Sequence, residues 1–142
     1  MADSYSSAEA SHRALRAIWQ ALERHPIVTA VQGFPDGNFT EIRADLAVER
    51  WGIERGSATL TVHWFAGETP DACPEFEFHY SDEETDFGWH HHEQEHVDGR
   101  GHFQERTGNA GYTYESHTFH ARNPAQLSWE IMSALSSRLS SE

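Results

Sequence analysis

Five histidines, His90, His91, His92, His96 and His102, crowd one short stretch of the chain. Histidine titrates near neutrality, so this side chain can take a proton, give one up or ligate a metal. The spacing first points to metal. His92-Glu93-Gln94-Glu95-His96 reads H-E-x-x-H, in which two histidines four apart share a helix face and hold zinc while Glu93 acts as base toward the bound water. Gly99 would let the chain turn so that His102 supplies a third ligand. The residues before the motif argue against a packed helix there. Glu83, Glu84, Thr85, Asp86 and Gly88 make no apolar stripe, and Gln94 and Glu95 stand where a buried helix favours apolar side chains.

Regular elements must hold this stretch in place. Ser6 with Glu9 is a capping-box pattern, followed by Leu15, Ile18, Trp19 and Leu22 at helical spacing. His25-Pro26 ends that helix, because the residue before proline is driven from helical geometry. The period then changes to two. Residues 27–31 read as a strand, and Ile42, Ala44, Leu46 and Val48 alternate with polar neighbours. Leu60, Val62 and Trp64 form a further apolar row, as do Phe76, Phe78 and Tyr80. That alternation puts His63 and His79 on the opposite face. Residues 102–106 and 112–119 are the last expected strands. Asn123 as N-cap and Pro124 at the first helical position open a final helix with Leu127, Ile131, Leu135 and Leu139 along one side. The expectation is an α+β fold: one domain over residues 1–142, with a single antiparallel sheet of about six strands and an N-terminal and a C-terminal helix packed on one face. Segment 81–100 has no period and is expected to be a long irregular, functional loop.

Composition narrows the function classes. The chain has 142 residues, a formal net charge of −13, and ten basic residues that are all arginine. An acidic surface without lysine is the habit of proteins from salt-loving archaea, where a short Debye length leaves net charge with little say over partners. No apolar run approaches a membrane span and no secretory leader is evident. Cys73 alone cannot form an intrachain disulfide. A cytoplasmic protein with no membrane partner is expected.

Two resemblances bear on function. Extended through Gly99 to His102, the H-E-x-x-H-x-x-G-x-x-H pattern resembles the zinc motif of the metzincin peptidases, although Met132 lies within a helix and not in the turn that carries that family's methionine. The second covers more of the chain. Phe78-His79-Tyr80-Ser81-Asp82, Gly88-Trp89-His90, His96-Val97-Asp98-Gly99 and His102-Phe103-Gln104-Glu105-Arg106 resemble a family of small haloarchaeal proteins associated with the TumE-type toxins of toxin–antitoxin pairs. That likeness runs from about position 76 to the C-terminal helix. In the family the spacer between His90 and His96 is proline-rich, which would make the zinc pattern a local accident of this sequence.

The toxin resemblance implies a small effector neutralised by an antitoxin protein, and suggests a ribonuclease acting on an RNA substrate with no cofactor. Metal-free RNA cleavage needs a base, an acid and a cation for the phosphate. His90, His96 and His102 suit the proton transfers, Arg106 the phosphate, and Tyr80 belongs to the same candidate set. His102, Gln104 and Arg106 should share a strand face. Trp89 or Phe87 would stack a base. Under the alternative, His92, His96 and His102 bind zinc in a metallopeptidase with Glu93 as base. A third possibility is a non-enzymatic protein-binding module. Ordinary packing explains the rest: Trp19, Trp51, Trp64 and Trp129 are expected in the core, His63 and His79 as a cross-strand polar pair, and Asp82 to Asp86 as solvated surface.

Overall fold

In the computed structural model, residues 4–35, 39–92, 101–107, 111–121 and 123–140 are described. The Ser6 hydroxyl accepts the backbone N–H of Glu9 and so caps α1 (Ser7–Glu23), which buries Leu15, Ile18 and Leu22. Strands β1 (Val28–Phe34) and β2 (Glu41–Leu46) follow, then a single 3-10 turn (Val48–Trp51), β3 (Ala58–Phe65), β4 (Glu75–Ser81), β5 (Thr85–His91), β6 (Gly101–Thr107), β7 (Thr113–Ser116) and α2 (Pro124–Ser140). The seven strands lie in chain order in one sheet, and every neighbouring pair is antiparallel. The α+β arrangement of one antiparallel sheet with an N-terminal and a C-terminal helix is therefore present, with one more strand among the described residues than expected.

Strand alternation sorts the sheet into two unlike faces. Ile42, Ala44, Leu60, Val62, Phe76, Phe78, Tyr80, Phe87, Trp89 and Phe103 share a buried cluster with Leu15, Ile18 and Leu22 of α1 and Leu127, Ile131 and Leu135 of α2. Both helices thus cover one face. Each fully buried large apolar side chain there contributes about 1.5–3 kcal/mol. Asn123 caps α2 through its side-chain oxygen and the N–H of Gln126.

Several expectations change. Segment 81–100 is not a loop throughout, because β5 occupies its first part; with Gly88 and His90 on its polar side, that strand carries a weak apolar signal. Trp89 and Phe87 face the helices and are buried, which removes them as stacking platforms. Asp82 is not solvated. Its carboxylate accepts the Glu84 and Thr85 N–H groups at 2.8 and 2.9 Å and the Tyr80 hydroxyl at 2.5 Å, so it builds the tight turn between β4 and β5. Trp129 stands on the outer side of α2, 44% exposed, against the His25 ring. The strand expected over 112–119 is shorter, Thr113–Ser116.

Candidate metal centre

The face away from the helices carries the chemistry. From β2 to β7 the registers align Glu41 with His63, His63 with Glu77, Glu77 with His90, His90 with His102, and His102 with Ser116. One polar row therefore crosses six strands. It exists because each of these side chains falls on the outward phase of its own strand. The turn built by Asp82 sets the β4–β5 register that brings Glu77 opposite His90.

Three imidazoles meet at the β5–β6 end of this row. His92 follows His90 by two positions and stays on its side, while His102 approaches from β6. Their ring centroids lie 5.1 Å (His90 to His102), 4.9 Å (His92 to His102) and 5.5 Å (His90 to His92) apart. One nitrogen from each ring falls within 4.8 Å of the others. His90 Nδ1 is 3.4 Å from His92 Nε2. Two nitrogens on a tetrahedral zinc with 2.0–2.1 Å bonds stand about 3.3 Å apart, so this pair has the spacing of two ligands. A hydrogen bond between neutral rings would give a similar distance, but would not by itself gather a third ring.

Burial sets the protonation of His90. His102 is fully enclosed and His90 almost so. Burial, followed by repulsion from His102, His92 and His79, pushes His90 down to about 3. It is neutral at any ordinary pH, the form a metal ligand requires.

A second donor group adjoins the first. Glu77, His79 and His90 also place one ligand atom each within 4.8 Å of one another. Glu77 Oε1 lies 4.0 Å from His90 Nε2. On the far side of His79, Nε2 is 3.3 Å from Asp86 Oδ1. Asp86 is anchored in turn by Arg106, at 2.9 and 3.1 Å, and by the Tyr112 hydroxyl. Burial works to raise the Asp86 carboxyl, but the Tyr112 and Arg106 hydrogen bonds and the charges of Arg106 and His79 hold it below the usual range. Gly88 gives His79 its room: a Cβ there would come 2.7 Å from the Phe78 carbonyl and 2.8 Å from His79 Nδ1.

The residues expected from sequence separate into groups. His90, His92 and His102 come together. Arg106 shares their face, with its guanidinium on Asp86. Tyr80 is not brought to them, since it is buried on the helix side with its hydroxyl on Asp82. Glu93 and His96 lie outside the described residues. His92 sits at a bend after β5, so its meeting with His102 follows from paired strands and not from a helix turn. His91 points the other way, stacking on Phe76 with Nδ1 donating to the Pro74 carbonyl at 2.7 Å. His63 and His79 are not directly paired: His63 stands opposite Glu77 and His79 opposite Thr61. Sequence reasoning passed over Glu77 and gave neither His79 nor His90 a metal role. The usable signal was His90-x-His92, which places two imidazoles on one side of a strand. No protein-family model, curated protein or solved structure matches this chain.

Proposed function

We propose that this protein binds a divalent transition metal, with zinc preferred, through His90, His92 and His102, and uses it to activate water for hydrolysis. The convergence of three imidazoles, two of them at zinc-ligand spacing, carries this reading. Three histidines are a known catalytic zinc donor set, one that keeps a position open for water or substrate. A bound zinc would supply hydroxide near neutral pH and polarise an ester, amide or phosphoryl oxygen. The chain's own part is to keep the His90 ring unprotonated by burial and to hold it against His102 by strand pairing.

The test is metal content by mass spectrometry on untagged protein purified in high salt, beside His90→Ala and His102→Ala variants. We expect bound zinc that both variants lose, with hydrolysis of simple esters and phosphoesters lost on chelation and restored by zinc. Wild-type protein free of metal, and unable to take it up, would sink the proposal.

A second reading uses the same face without metal. His102 and Arg106 share that face as strand alternation requires, which favours RNA cleavage by His90 and His102 in a toxin held by an antitoxin partner. RNA cleavage that persists in chelator and disappears in His102→Ala would support this reading over the first.

A further inference from the structure

We infer that the sheet face holds a second divalent cation at Glu77, His79 and His90, coupled to the first because both cations use the His90 ring. The inference rests on the metal reading above and extends it.

The argument turns on which nitrogen faces which way. His90 Nδ1 looks toward His92 at 3.4 Å, while Nε2 looks toward Glu77 at 4.0 Å. The two donor groups therefore draw on different edges of one ring. On the Glu77 side, His90 Nε2 is buried and makes no hydrogen bond among the described residues, and the same is true of His79 Nδ1. Buried polar nitrogens without partners are rare and costly. Two of them beside one carboxylate form a donor set.

The tautomer of His79 supports the assignment. Asp86 accepts hydrogen bonds from Arg106 and faces His79 as an acceptor too, so the His79 nitrogen beside it carries the proton. That leaves Nδ1 with the lone pair. A carboxylate behind a histidine ligand fixes its ring and raises its basicity, and Asp86 is itself braced by Arg106 and Tyr112. Gly88 completes the arrangement by letting the His79 ring lie close to the sheet. Two imidazoles and a carboxylate suit zinc and its borderline neighbours better than calcium or magnesium.

Sharing His90 has a chemical consequence. A neutral imidazole has one lone pair and one N–H. When the second cation binds, that N–H proton passes to solvent and the ring becomes an imidazolate between the two cations. A ring between them also holds them farther apart than the roughly 3.5–4 Å of a two-metal clamp. The second cation thus tunes the first and does not share its bound water.

The experiment is titration of chelator-stripped, full-length protein with Zn²⁺ in high salt, reading stoichiometry and proton release, with Co²⁺ as a spectroscopic substitute. Two equivalents are expected, falling to one in Glu77→Gln and in His79→Ala, while circular dichroism shows the fold retained. Glu77→Gln, which changes a partly exposed side chain, guards against loss of folding. The wild type should release one more proton than Glu77→Gln when both are saturated. A single equivalent in the wild type, lost in His92→Ala but kept in Glu77→Gln, overturns the second site and leaves the first. Two equivalents that survive both Glu77→Gln and His79→Ala overturn it as well, because the second ion then lies elsewhere. No equivalents at all overturn both.

Discussion

His90 and His102 stand directly opposite each other across the β5–β6 ladder, with ring centroids 5.1 Å apart, and both are buried on the face away from α1 and α2. Like-charged neighbours at this distance cannot both be protonated cheaply. This repulsion adds to burial in holding His90 neutral, the form a cation can exploit.

His90 lies outside the H-E-x-x-H pattern, which makes it the most informative ligand to remove. His90→Ala is expected to abolish zinc binding, whereas His91→Ala, which alters a ring stacked on Phe76 on the other face, should leave the metal in place. Metal analysis of the two variants side by side checks this. Retention of zinc by His90→Ala would return the ligand set to the linear motif.

Zinc should also stabilise the fold, because a ligand that binds only the native state adds RT ln(1 + [L]/Kd), about 2.7 kcal/mol at one hundred times Kd. Thermal unfolding with zinc and with chelator measures the difference. His102→Ala should remove the zinc-dependent part of the shift.

Trp89 and Phe87 are core residues and not base-stacking platforms. Phe87→Ala should cost about 3–5 kcal/mol of stability, visible as an earlier midpoint in denaturant. Weakened RNA binding by Phe87→Ala at unchanged stability would contradict this assignment.

Gly88→Ala tests the crowding around His79. The added methyl has no room against the Phe78 carbonyl and the His79 ring, so overpacking should cost about 1–3 kcal/mol. Chemical denaturation gives the figure. An Ala variant as stable as wild type would show that the strand gives way freely there.

The chelated protein should lose stability in mild acid. Burial pushes both His25 and His117 below the ordinary histidine value; for His117, Glu130 and Glu115 oppose burial while His120 reinforces it. Below about pH 6.5 the unfolded chain then binds more protons than the native one, so stability falls as pH drops through that value. The contribution is complete above it. Urea midpoints between pH 5 and 8 should rise with pH, and a flat profile would refute the expectation.

The terminal helices were legible because capping residues and a 3.6-residue apolar period are local properties. Ser6 and Asn123 cap where expected, and Leu15, Ile18, Leu127 and Ile131 bury as their spacing requires. Most strands were legible for the same reason, through alternation at Leu60 to Trp64 and Phe76 to Tyr80. β5 was not, since its inward row holds only two apolar residues, Phe87 and Trp89, between Thr85 and His91, too short a run to stand out.

The site shows the same division. Composition and spacing marked the histidine-rich stretch and paired His92 with His102, two residues that do meet. They also read the ligands along the chain, as four-residue steps on a helix. Tertiary structure made the selection across strands. Register put His90 opposite both Glu77 and His102, the outward phase removed His91 and Tyr80, and Gly88 opened room for His79. A strand's face follows from its own sequence, but its partner depends on sheet order and register, which arise only when the whole core packs.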